Sequence, residues 1–156
     1  MTKTCTNVGE RVGLFAGSFD PFTIGHASVV ERALPLFDRL IIAIGINAEK
    51  TTATAAADRR AAIERLYAGD HRVEVVTYSG ELTVDLARRL GADWLLRGVR
   101  SVRDFEYERD LADLNRRLSG LETVIIFALP EHGAVSSSAV RELSSYGHDV
   151  SPFLPH

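Results

Sequence analysis

Apolar positions along the chain fall into two alternating rhythms. Short runs rich in branched residues read as five strands: Val12 to Phe15, Leu40 to Ile46, Val73 to Tyr78, Trp94 to Arg97 and Thr123 to Leu129. Leu40 to Ile46 is apolar almost without a break, the pattern of a strand covered on both faces in a parallel sheet. Between these runs the apolar residues recur at helical spacing. Val29, Val30, Ala33, Leu34 and Phe37 follow the first strand, and Tyr107, Leu111, Leu114 and Leu118 share one helical face from Asp104 onward. Asp58 reads as the cap of a helix continuing to Leu66, with Gly69 beyond its end. Glu81 to Leu90 reads as another helix, stopped by Gly91, and Val140 and Leu143 lie on a last short one. Pro35, inside the first helix, predicts a kink or an early end. Asn47 to Ala57 is a polar connection rich in alanine and threonine, and the tail from Val150 to His156 is irregular. Strands alternating with helices predict a doubly wound α/β fold, a five-stranded parallel sheet with helices on both faces. It forms a single domain over 1–156, with 1–10 as a flexible lead-in.

Composition narrows the class without changing that picture. A chain of 156 residues, 46% hydrophobic and 25% charged, is an ordinary globular domain able to bury a real core. Its net charge of -3 argues against general nucleic-acid binding. No apolar stretch reaches the ~20 residues that span a bilayer, so no membrane association is expected. The polar start, Met1 to Glu10, lacks the apolar core of a signal peptide, and the single cysteine, Cys5, has no internal partner for a disulfide. Both features fit a cytoplasmic protein.

In a Rossmann-like, doubly wound sheet, ligands bind beyond the carboxyl ends of the strands. Three stretches at such positions carry candidate chemistry. The first runs Gly-Ser-Phe-Asp-Pro-Phe-Thr-Ile-Gly-His from Gly17 to His26, a strand-to-helix turn in which His26 opens the helix. The first amides of a helix lack internal partners and favour phosphate. Ser18 adds a hydroxyl, and His26 adds a donor that can become cationic. The stretch supplies neither G-x-G-x-x-G nor the Gly-Lys-Ser/Thr of a P-loop. The second runs from Arg97 to Glu108, where Arg97 and Arg100 can hold phosphate oxygens or can pair with Asp104, Glu106 and Glu108. The third, Ser136-Ser137-Ser138, offers three hydroxyls and helix amides to a phosphate, or a helix cap in Ser136. Arg141, one turn on, can reach the same oxygens or pair with Glu142 or solvent. No cluster of His, Cys or Asp suggests a dedicated metal cage, so no metal-ligating residue is assigned.

The block ending in Thr-Ile-Gly-His resembles the T/H-x-G-H signature of the nucleotidyltransferase superfamily. The run Arg-Gly-x-Arg-x-x-x-Asp-Phe-Glu-Tyr-Glu from Arg97 resembles its phosphopantetheine adenylyltransferase branch, and Val135 to Ser138 resembles that branch's I-S-S-S/T motif. The resemblance extends from about Val12 to Pro155. It implies transfer of AMP from ATP to 4'-phosphopantetheine, giving dephospho-coenzyme A and pyrophosphate, by direct in-line attack without a covalent intermediate. It implies His26, Lys50 and Arg97 as catalytic residues, with Ser18, Lys50, Thr83 and Arg97 on the phosphopantetheine side. On the ATP side it implies Ser18, Phe19, His26, Gly98, Val99, Arg100, Glu108 and the run His132, Gly133, Ala134, Val135, Ser136, Ser137, Ser138. Mg²⁺ is implied as companion of the triphosphate, held mainly by its oxygens and water. A homohexamer and feedback binding of coenzyme A are implied as well.

Two loops depart from the family's pattern. Ala48-Glu49-Lys50-Thr51-Thr52 stands where a Ser-Lys-Lys-Pro-like run is usual, and His132-Gly133-Ala134 replaces an aromatic-led segment. The readings that compete are another adenylyl- or cytidylyltransferase of the same superfamily, acting on a different phosphorylated acceptor, and a non-catalytic nucleotide sensor on the same fold.

Overall fold

The computed structural model describes residues 9–47, 49 and 54–156. Five parallel strands, β1 (Val12–Gly17), β2 (Arg39–Gly45), β3 (Val73–Tyr78), β4 (Trp94–Val99) and β5 (Glu122–Phe127), form one sheet in the order β3-β2-β1-β4-β5. The helices are α1 (Ile24–Ala33), α2 (Ala56–Leu66), α3 (Thr83–Leu90), α4 (Val102–Ser119) and α5 (Ser137–Ser145). Side chains of a strand alternate between faces, so one apolar run feeds two cores. Phe15, Leu40, Ile42 and Ile44 join Val29, Val30 and Ile63 on the face of α1 and α2. Leu14, Ala16, Ile41 and Ala43 join Val84, Leu86 and Ala87 of α3 on the other. Ile41, Ile42 and Ile44 are fully buried, and each such side chain contributes about 1.5–3 kcal/mol before the entropy of ordering it.

Element boundaries move where capping, rather than periodicity, decides them. Asp58 is not the cap of α2; the helix starts at Ala56 after Ala55, and Asp58 sits in its first turn, where an acid complements the helix dipole. α3 starts at Thr83 rather than Glu81. Ser101 caps α4 by accepting from the Asp104 amide at 3.1 Å, so that helix begins at Val102. Pro35 ends α1 at Ala33 and continues the chain as a 3₁₀ turn, Leu34–Leu36. Gly91, at φ 71°, provides the left-handed stop after α3.

The strand order reverses at β1, which pairs with β2 on one side and β4 on the other. The crevice at the carboxyl ends of β1 and β4 is therefore the favoured ligand position. Gly98 of β4 keeps that crevice narrow, because a Cβ there would stand 2.9 Å from Cγ2 of Val29 on α1. Any larger residue would push α1, and the turn leading into it, away from β4.

Candidate active site

The Thr23–His26 segment is a capping box in which histidine takes the place usually held by Glu or Gln. Thr23 Oγ1 accepts from the His26 amide at 3.4 Å, and His26 Nδ1 accepts from the Thr23 amide at 3.0 Å. Ile24 therefore opens α1, and His26 is its third residue rather than its first. Because Nδ1 is an acceptor, the neutral ring carries its proton on Nε2, the nitrogen left to donate to a ligand. Phe19 meets the imidazole edge-on at 5.1 Å between ring centroids, and Phe22 stacks on it at 5.4 Å. Burial among these rings lowers the His26 pKa to about 4, with the positive charges of Arg100 and Arg97 adding to the effect. The sequence allows a cationic His26; the fold holds it as a neutral Nε2–H donor near pH 7.

The turn before it is fixed by side chains that take its carbonyls. Arg97 Nη1 donates to Ala16 O at 2.7 Å, Arg141 Nη1 to Asp20 O at 2.6 Å, and Ser137 Oγ to Pro21 O at 2.8 Å. Arg59 Nη1 donates to Ser18 O. These bonds hold Phe19 at φ 47°, a left-handed conformation costing a non-glycine residue roughly 1–2 kcal/mol. A charge-assisted hydrogen bond contributes about 1.5–3 kcal/mol, enough for one of them to offset that strain. Of these anchors, Arg141 takes neither Glu142 nor solvent as its main partner. Arg59 was not among the sequence candidates. Its only sequence signal is its position four residues before Ile63, which places a cation on the buried face of α2.

Arg97 and Glu108 form a two-pronged pair, Nε to Oε2 at 2.8 Å and Nη2 to Oε1 at 2.7 Å. Burial alone would lower the Arg97 pKa, but the hydrogen bonds and charge of Glu108 outweigh it and raise the net value. Three of the five guanidinium donors are engaged, counting the bond to Ala16 O, which leaves two for an anion. Both Glu108 oxygens face Arg97, and Glu108 does not line the cavity in front of His26. Its place is behind Arg97. Arg100 lies 3.5 Å from Asp104 and also lines the cavity.

At the start of α5 the three serine hydroxyls are already engaged. Ser136 Oγ caps the helix through the Ala139 amide at 3.1 Å, Ser137 Oγ holds Pro21, and Ser138 Oγ accepts from Arg141 at 3.2 Å. The hydroxyls are thus occupied by the protein itself, and the first amides of α5 are the groups a helix start leaves without internal partners.

These elements enclose a cavity of about 320 Å³. Ser18, Phe19, His26, Arg97, Gly98, Val99, Arg100, His132, Val135, Ser136, Ser137 and Ser138 all line it. Gly133 and Ala134 do not, because the 3₁₀ turn Pro130–His132 directs only His132 and Val135 inward. Thr83 lines a second cavity of about 180 Å³, mostly apolar, with Leu82, Leu111 and Leu114; Arg97 borders both. Lys50 and Cys5 lie outside the described residues, as does nearly all of the lead-in and most of the 48–54 loop.

A family model described as cytidylyltransferase-like matches residues 14–143. A phosphopantetheine adenylyltransferase of Porphyromonas gingivalis is 58% identical over 146 residues, covering 94% of this chain and 95% of that protein. One from Phocaeicola vulgatus is 51% identical over 145 residues, covering 93% and 95%. Among solved structures, a bifunctional NMN adenylyltransferase/ADP ribose pyrophosphatase from Francisella tularensis superposes with a TM-score of 0.68 at 12% identity. That match covers 93% of this chain and 44% of the other, and shows the fold alone. With a family model spanning the sheet from β1 to α5, and relatives this similar over nearly their whole length, the chain belongs to the phosphopantetheine adenylyltransferase family.

Proposed function

We propose that the cavity in front of His26 is where AMP passes from ATP to 4'-phosphopantetheine, releasing pyrophosphate and dephospho-coenzyme A. The family's reaction is this chain's reaction. The attacking group is a phosphate, anionic near neutral pH, so the step needs no general base. The protein's task is to hold two phosphates in line and to stabilise the charge that develops. One observation carries the assignment of roles: His26, locked through Nδ1 and neutral, lines the same cavity as Arg97, Arg100 and the start of α5. Its Nε2–H is suited to an oxygen of the α-phosphate. Arg97 borders both cavities, so its two remaining donors suit the phosphate of the acceptor, whose pantetheine arm is assigned to the second cavity beside Thr83. Lys50 is assigned, with Arg97, to bridging the two substrates.

Mg²⁺ enters this reading with the triphosphate. Among the described residues no group of three or more His, Cys, Asp or Glu side chains is arranged to hold a metal. No side chain is therefore assigned to the ion, whose ligands would be phosphate oxygens and water. A homohexamer belongs to the same proposal, and the exposed Val102, Tyr107, Leu114 and Leu118 on α4 supply apolar surface that an assembly would cover. Light scattering tests it. Coenzyme A, sharing the acceptor's arm, is proposed to compete at the two cavities. A cytoplasmic setting is proposed as well; among the described residues no helix is long and apolar enough to cross a membrane.

The test is incubation with ATP, Mg²⁺ and phosphopantetheine, followed by mass spectrometry. Dephospho-coenzyme A is the expected product. Pyrophosphate release only with CTP or another acceptor would replace this reading with a different transferase, and tight ATP binding without product would replace it with a nucleotide sensor.

A further inference from the structure

Arg59 is the only arginine among the described residues classed with the buried core, at 4% exposure. It stands on α2, outside the cavity in front of His26. Its bonds go to main chain: Nη1 donates to Ser18 O, and Nε donates to Thr54 O at 3.1 Å. One planar guanidinium thus joins the turn after β1 to the residues leading into α2. In a trans peptide the amide points opposite to the carbonyl. Holding Ser18 O toward α2 therefore turns the Phe19 N–H the other way and supports the left-handed φ of Phe19. The Phe19 ring in turn packs on Phe15, Phe22 and His26.

We propose that Arg59 is a positioning residue for the active site. By gripping Ser18 O and Thr54 O together, it holds the Gly17–Phe22 turn in the bent form that presents His26 to the cavity, and it anchors the entry to α2 against that turn. The inference rests on the transfer reaction proposed above for its kinetic consequence, but its structural consequence can be read without turnover. Lysine cannot reproduce it, because a single ammonium lacks the planar fork that reaches two carbonyls in fixed directions.

Two variants and two readouts test this. Arg59→Met keeps an unbranched apolar stem and removes every donor; Arg59→Lys keeps the charge and guards against a variant that fails to fold. Per folded active site, Arg59→Met is expected to lower kcat about 10²-fold, the scale of a misplaced catalytic constellation, and Arg59→Lys about 10-fold. KM for phosphopantetheine changes less than kcat does, since the cavity beside Thr83 is untouched and, of the acceptor-side residues, Ser18 is the one that loses its anchor. In a His26→Ala background the loss from Arg59→Met shrinks to a few-fold, because the group it positions is gone. The second readout is NMR titration of the His26 imidazole in the ligand-free protein. With Arg97 and Arg100 still facing the ring, its midpoint moves up from about 4 toward the ordinary value of 6.5 as Phe19 releases and water reaches it. A folded Arg59 variant with an unmoved midpoint and unchanged kcat overturns the proposal. Wild-type protein that makes no dephospho-coenzyme A overturns the reaction instead, and the titration still decides the role of Arg59.

Discussion

His26 and Arg97 border one cavity, and they end in different charge states, one neutral and one positive. His26 sits among Phe15, Phe19 and Phe22 with Arg100 and Arg97 nearby, so burial and repulsion keep it neutral. Arg97 sits over Glu108, whose side chain is 7% exposed and whose carboxylate accepts two hydrogen bonds from it, so it stays charged. The difference lies in the partner and not in the depth. A desolvated base without a counter-ion gives up its proton, whereas a desolvated cation with one holds it more tightly. The site thereby offers a phosphate two kinds of help: a neutral, directed N–H on one side and a fixed positive charge on the other.

Substitutions can break this contrast from either end. Arg97→Ala leaves the Glu108 carboxylate buried without its cation, and removing one partner of such a pair costs about 3 kcal/mol, at the low end because Arg97 keeps a third of its surface in water. Thermal melting should show a drop of roughly 10 °C. The double variant Arg97→Ala/Glu108→Leu should recover much of it. Steady-state kinetics on the folded single variant should show phosphopantetheine use weakened more than ATP binding; equal losses would contradict the division of the site at Arg97.

Acid acts on His26 alone of the two. Its folded pKa of about 4 lies below the unfolded value of 6.5, so on acidification the unfolded chain takes the proton first. The stabilising contribution of the neutral ring is complete above pH 6.5 and falls away as pH drops toward 4, by about 3 kcal/mol in all. Chemical denaturation at pH 7 and pH 4.5 measures it, and His26→Phe, which cannot titrate, should lose less over the same interval. A bound triphosphate should draw the His26 pKa upward, because a nearby anion favours the charged ring.

His26→Ala should reduce turnover about 10²-fold, equivalent to about 2.7 kcal/mol of transition-state stabilisation, while the protein stays folded. Near-wild-type turnover would sever His26 from the chemistry. The smallest effect belongs to Ser136→Ala, which removes the α5 cap and should cost about 1 kcal/mol, a shift of only a few degrees in Tm. A large loss of activity with that small shift would mean that the Ser136 hydroxyl serves the substrate in addition to the helix.

Much of this was legible along the chain. Five branched apolar runs and the helical faces between them fix the parallel sheet, because strand and helix periods are local properties of sequence. The three blocks that follow β1, β4 and the last segment before α5 could be placed at strand ends for the same reason. Individual roles were less legible. Glu108 reads in sequence as one acid in a charged run, and only the packing of α4 against β4 brings it under Arg97, 11 residues away. Of the serine triplet only the cap in Ser136 was legible; Ser137 and Ser138 find their protein partners once α5 meets the turn. Arg59 carries almost no signal, since its value lies in two carbonyls at positions 18 and 54.

By itself, then, the sequence determined the alternation of elements, the sheet they form and the family whose chemistry the motifs carry. Period and motif spacing are short-range, and they survive in a linear string. The charge of His26, the pairing of Arg97 and the bent turn that Arg59, Arg97, Arg141 and Ser137 hold were decided only by tertiary structure. Desolvation and ion pairing depend on what stands within a few ångströms in space, and those neighbours come from every part of the chain.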